Sequence, residues 1–138
     1  GIPISLSVSL HAPNQELRSE LMPINRKYPL ADVVRAARHY AETTKRRVTY
    51  EYILIDHVND GEAQARELVS LLRGQLASVN LIPINPVAER HLLRPSAARF
   101  VWFEHYLPAH HLTVTVRREM GTDIQAACGQ LRNKHLEE

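Results

Sequence analysis

Three features of this sequence have residue types and spacing suited to chemistry: one thiol, a polar strand ending in a histidine, and an asparagine held before a proline. Cys128 is the single cysteine in 138 residues. It lies in Ala126-Ala127-Cys128-Gly129-Gln130-Leu131, where small neighbours leave a thiol accessible and Gly129 lets a backbone or ligand come close. A thiol can be a nucleophile or a covalent carrier, although a lone cysteine is more often a small passive hydrophobe. One cysteine forms no intramolecular disulfide, which fits a reducing compartment. It also cannot hold an iron–sulfur cluster, which takes several thiolates.

The second feature is Ser5, Ser7, Ser9 and His11, which alternate with Ile4, Leu6, Val8 and Leu10. Period-two alternation puts the polar set on one strand face. That face is either the wall of a cavity or the wet side of an edge strand. In the third, Asn85 precedes Pro86, which pushes Asn85 out of helical geometry and aims an amide able to donate and accept. Glu51 stands mid-strand between Tyr50 and Tyr52. A carboxylate there is costly to bury unpaired, so it reads as a cavity wall or as half of a structural salt bridge. His105, His110 and His111 lie close together, but no HExxH or Cys/His ligand spacing occurs, and no metal site is expected. His39, His57, His91 and His135 read as surface or loop residues.

The elements that must position these groups alternate. Strands are predicted over 4–10, 48–55, 79–84 and 112–117, from β-branched and aromatic residues in short runs. Helices are predicted over 31–43, 62–73 (with Gly74 as the stop) and 95–106, ending before Pro108. A weaker helical signal covers 124–131. Alternating strands and helices imply an α/β fold with a mostly parallel sheet. Both faces of such a sheet need covering, so four strands and three helices also suit a cut from a larger α/β barrel. Ligands in parallel α/β proteins bind where strands end, which is where Ser9, His11 and Asn85 lie.

Composition sets outer bounds. Hydrophobic residues are 44% and charged residues 23% of the chain, enough for a real core. Formal net charge is +2, so any polyanion would meet local clusters such as Lys45-Arg46-Arg47 and Arg117-Arg118. No apolar run reaches bilayer length, and the expectation is a cytoplasmic protein with no membrane partner.

Five segments in order carry a resemblance. They are Ser9-Leu10-His11-Ala12-Pro13-Asn14, Met22-Pro23-Ile24-Asn25-Arg26-Lys27-Tyr28, Val58-Asn59-Asp60, residues 80–86 (NLIPINP) and residues 123–131 (DIQAACGQL). Together they resemble the radical-SAM 23S rRNA adenine-C2 methyltransferases of the RlmN type, related to Cfr. The resemblance implies the C-terminal part of a partial radical-SAM barrel over 1–110. A final strand and extension would follow over 111–138, carrying Cys128. It implies that Ser9, Leu10, His11 and Asn85 contact S-adenosylmethionine and that Cys128 carries the transferred methyl group. In that family adenine C2 is electrophilic, so the methyl is first placed on the cysteine and then activated by an adenosyl radical made at a [4Fe–4S] cluster. A second cysteine resolves the protein–RNA adduct. The family's CxxxCxxC motif, Gly-Glu-Pro segment and resolving cysteine are absent from these 138 residues. The resemblance therefore implies further partners: the missing N-terminal part of the same protein, a reductant, 23S rRNA and possible tRNA substrates. The chain alone is expected to be inactive. After Asn85-Pro86 the sequence also departs from the family's Gly/Pro/Tyr-rich stretch, reading VAERHLL over 87–93. The alternative is a free-standing α/β RNA-binding module without catalysis, motivated by the two basic clusters.

Overall fold

The computed structural model describes residues 6–22, 25, 27–84 and 92–117. β1 (Leu6–Ser9) is followed by α1 (Gln15–Leu21), α2 (Leu30–Thr44), β2 (Val48–Leu54), α3 (Glu62–Leu72), β3 (Ala77–Pro83), α4 (Ala97–Ala109) and β4 (Thr113–Val116). All three strand pairings are parallel, and the strands lie in the order β1-β2-β3-β4. Each strand thus pairs with its sequence neighbour across a helical crossover, as the alternating pattern requires.

One face of this sheet is the main core. Val48, Tyr50, Tyr52 and Leu54 of β2, with Val79 and Leu81 of β3, pack against buried residues of the three long helices. Those include Val34 and Ala37 of α2, Leu68 and Leu72 of α3, and Phe103 and Leu107 of α4. The two tyrosines bury their rings completely and place their hydroxyls on partners: Tyr50 donates to Gln75 Oε1 at 2.7 Å, Tyr52 to the Asn59 carbonyl at 2.8 Å. That satisfies the cost of burying a phenol.

The other face is divided along its length. Two registered rows of short polar residues cross it, Ser7–Thr49–Ser78–Thr113 and Ser9–Glu51–Asn80–Thr115. Nearer the strand ends the same face turns apolar. Ile53, Ile55, Ile82 and Ile84 are capped there by Leu21, Leu92 and the partly buried Leu17 and Met22.

Two expectations need correction. α1 is a helix that the sequence pattern did not announce, with the Asn14 side chain capping it by accepting from the Leu17 N–H at 2.8 Å. α4 runs past Pro108 to Ala109 instead of stopping before it. A proline in a last turn forfeits only one helical bond, and the completely buried Leu107 holds that turn to the core. The weak helical signal over 124–131 falls outside the described residues. No helix among the described residues is long and apolar enough to cross a membrane.

Candidate functional site

At the end of β1 the chain leaves strand geometry abruptly. In a regular strand successive carbonyls point to opposite sides. Here the Ser9 and Leu10 carbonyls both accept from one guanidinium, Arg18, through Nη2 at 3.1 Å and Nε at 3.3 Å. On the other edge, the Leu10 and His11 N–H groups both donate to the Glu51 carbonyl, at 3.0 and 3.3 Å. His11 follows at φ 57, in the left-handed region that a side chain enters at a cost. Its carbonyl accepts from Asn59 Nδ2 at 2.8 Å. The peptides of residues 9–11 are therefore held on both sides.

This geometry corrects one reading of the sequence. His11 does not continue the Ser7–Ser9 face. Its ring enters the hydrogen-bond ladder, where Nδ1 accepts from the Ile53 N–H at 3.0 Å. The left-handed turn moves the ring off the polar rows, and it is buried where Ser7 and Ser9 are exposed. Burial first, and the Arg18 charge second, push the imidazole pKa down to about 4. The ring is neutral at neutral pH, and with Nδ1 accepting, its proton sits on Nε2. Among the described residues that buried N–H has no partner.

Two networks that sequence reasoning missed lie behind the segment. Arg18 is only 4% exposed and, besides the two carbonyls above, donates to Asn25 Oδ1 at 2.6 Å and to the Tyr28 carbonyl at 3.3 Å. Asn25 is itself fixed by donating to Ser19 Oγ and the Gln15 carbonyl. Burial lowers the Arg18 pKa from its usual value, and arginine stays charged at neutral pH. Asn59 is fully buried and joins three segments: Nδ2 reaches the His11 and Ile53 carbonyls, and Oδ1 accepts from the Ile55 N–H at 2.8 Å. Asn25 and Asn59 belong to segments the sequence singled out, and Asn14, Arg18 and Leu21 share helical spacing. That spacing was the available signal for Arg18.

Of the residues expected to hold a ligand, Ser9, Leu10 and His11 are brought together here. Leu10 is completely buried, with its side chain in the main core, its N–H on the Glu51 carbonyl and its carbonyl on Arg18, so it fixes the segment and offers no exposed group of its own. Asn85 and Cys128 fall outside the described residues. Glu51 is half-buried on the open face between Ser9 and Asn80, and no ion pair reaches it among the described residues. The structural salt bridge expected as one reading of Glu51 is therefore not present among them. Asn80 does engage its row neighbour, accepting from Thr115 Oγ1 at 3.2 Å. The Lys45-Arg46-Arg47 triplet is exposed in the turn between α2 and β2, with Arg47 donating to the Ala77 carbonyl at 2.8 Å. No three His, Cys, Asp or Glu side chains gather among the described residues.

No protein-family model matches the chain. Curated relatives do. A "Probable dual-specificity RNA methyltransferase RlmN" of Symbiobacterium thermophilum is 59% identical over 135 residues, 97% of this chain and 36% of that protein. The protein of the same name from Caldanaerobacter subterraneus subsp. tengcongensis is 54% identical over 98% of this chain and 40% of its own length. Among solved structures, a radical SAM methyltransferase from Sphaerobacter thermophilus matches with a TM-score of 0.85 at 53% identity, covering 94% of this chain and 38% of that one. A domain of a pyruvate-formate lyase-activating enzyme from Bacteroides vulgatus matches with a TM-score of 0.66 at 17% identity, a likeness of fold alone.

Proposed function

We propose that this chain, which matches the RlmN-type radical SAM methyltransferases along nearly its whole length and spans about two-fifths of theirs, supplies part of the S-adenosylmethionine site and the methyl-carrying thiol of an RNA adenine-C2 methyltransferase. The observation that carries the reading is the end of β1. A segment with its peptides fixed on both edges presents the exposed Ser9 and a buried neutral imidazole whose Nε2 proton has no partner among the described residues.

The residues present fit S-adenosylmethionine. A neutral buried N–H donor suits an uncharged acceptor on a nucleoside or amino-acid group, because it adds no charge that would need a counterion. Ser9 through its hydroxyl, His11 through its ring and Asn85 would hold the molecule, with the buried Leu10 fixing the peptide between Ser9 and His11. Bound there, it supplies the methyl group and, with a [4Fe–4S] cluster, the radical chemistry. The cluster's thiolates come from outside these residues, since the chain has one cysteine. Cys128, in the extension after β4, serves as covalent carrier. The fixed β1 end orients what it binds, and orientation is the protein's main contribution in cofactor chemistry.

Adenine in 23S rRNA is the proposed substrate, with tRNA as a second, in the cytoplasm, and the remainder of the protein and an electron donor as partners. The chain by itself is proposed to be inactive for want of cluster ligands. The test uses the full-length protein with its cluster reconstituted. Methylation of adenine in an rRNA fragment and in tRNA is expected, and Cys128→Ala abolishes it. Methylation that survives Cys128→Ala removes the carrier role.

The exposed Lys45-Arg46-Arg47 favours a second reading, RNA binding without catalysis. Phosphate contacts made there would weaken steeply as salt rises, because neutralised phosphates release counterions.

A further inference from the structure

We propose that Arg18 is a positioning residue for the S-adenosylmethionine site: its buried guanidinium turns the Ser9 and Leu10 carbonyls to one side and so sets how residues 9–11 meet the bound molecule. The inference rests on the functional reading above and goes beyond it, since Arg18 is buried behind the segment with its donors on protein acceptors.

A buried arginine ordinarily has a carboxylate against it, because taking a cation out of water is costly unless it is paired. Arg18 has none within ion-pair distance among the described residues. Its four bonds go to the carbonyls of Ser9, Leu10 and Tyr28 and to the Asn25 amide oxygen, all neutral acceptors. Satisfying those acceptors serves the fold, but neutral amide donors could do that without taking a charge out of water. What only a planar fork can do is bind two successive carbonyls at once from one fixed direction.

The consequence falls on the site. With Ser9 O and Leu10 O turned toward Arg18, the Leu10 and His11 N–H groups turn together toward the Glu51 carbonyl. His11 then enters the left-handed region, which puts its ring on the Ile53 N–H and fixes which nitrogen keeps the proton. Without Arg18 a carbonyl would be left buried and unpaired. The segment could then regain strand geometry, with the ring displaced. Asn25 holds the fork in place through its bonds to Gln15 and Ser19 of α1.

The test is equilibrium dialysis against S-adenosylmethionine of the full-length protein with its cluster reconstituted, every protein carrying Cys128→Ala and no reductant present, so that neither methyl transfer to the thiol nor radical chemistry consumes the ligand. Arg18→Lys keeps the charge but concentrates its donors at one point that cannot span both carbonyls. It is expected to raise Kd about tenfold or more, the scale on which supporting hydrogen-bond partners act. Val69→Ala, in the core between α3 and the sheet, is the stability control. It is expected to lower the melting temperature while leaving Kd within about twofold, as distant sites act independently. Asn25→Ala removes one anchor of the fork and is expected to weaken binding several-fold, and it decides the matter if Arg18→Lys does not fold. Unchanged Kd in Arg18→Lys, or in Asn25→Ala where the lysine variant does not fold, overturns the role of Arg18. So does a Val69→Ala protein that loses affinity as far as Arg18→Lys. A Cys128→Ala parent protein that does not bind S-adenosylmethionine overturns the functional reading instead.

Discussion

The two faces of the sheet are built from the same strands and do opposite things. Toward α2, α3 and α4, β2 and β3 present Tyr50, Tyr52, Leu54, Val79 and Leu81, all buried, and the polar atoms there are matched to fixed partners. Away from those helices, at alternate positions, the same strands present Thr49, Glu51, Ser78 and Asn80 in registered polar rows. Parallel sheets usually bury both faces and read as continuous apolar runs. Here the alternation inside each strand assigns one face to holding the fold and leaves the other polar, the face proposed for recognition. The apolar patch of Ile53, Ile55, Ile82 and Ile84, capped by α1, marks where the polar face ends and the strand-end loops begin.

Substitution should tell most heavily on the covered face. Phe103 is completely buried, stacking on Tyr52 with ring centroids 6.4 Å apart and meeting Trp102 edge-on. Phe103→Ala leaves a ring-sized cavity between α4 and the sheet. The expected loss is about 3–5 kcal/mol of stability, read as a lower urea midpoint of unfolding. A loss below about 1 kcal/mol would mean that the helices on this face are not its principal support.

At the junction of the two faces the expected effect is somewhat smaller and depends on pH. His11 is buried neutral, with a pKa of about 4 against an ordinary value of 6.5. Between those values the unfolded chain binds the proton and the folded chain does not. The stabilisation is therefore complete above pH 6.5 and lost progressively as pH falls toward 4, by as much as about 3 kcal/mol. His11→Asn keeps an acceptor near the Ile53 N–H and should flatten that part of the stability curve. A curve of wild-type steepness in His11→Asn would assign the acid sensitivity to other groups.

The junction is also where the sequence was least legible. The four strands and the three long helices could be read from periodicity, because their burial follows a simple period of two or 3.6 over many residues. α1 could not. It is seven residues long, and its buried residues are Leu21 and a cation, Arg18, that pattern reading assigns to solvent. The segment proposed to meet ligand was singled out by the rule that strand ends bind and by its resemblance to a family. The direction of His11 was not, because a left-handed φ at a histidine is imposed by bonds from Arg18 and Asn59, residues 7 and 48 positions away. Local sequence carries propensity. A turn over-determined by distant partners is a tertiary fact.

The smallest effect on stability is expected on the open face. Glu51 sits at the middle of a polar row, half-buried, with Ser9 on one side and Asn80 on the other, and no cation pairs with it among the described residues. Glu51→Gln keeps the size and shape of the side chain and removes its charge. Were the carboxylate half of a structural pair, losing it would leave the other half uncompensated and cost several kcal/mol. On a face kept for recognition, the fold should change by no more than about 0.5 kcal/mol, while adenine methylation by the full-length protein falls. The two readouts separate the two uses of a mid-strand carboxylate, since a supporting pair lowers the melting temperature first and a cavity wall lowers turnover first. A Glu51→Gln protein that melts several degrees early yet methylates at the wild-type rate would give this face a structural purpose as well, and the division between the two sides of the sheet would no longer hold.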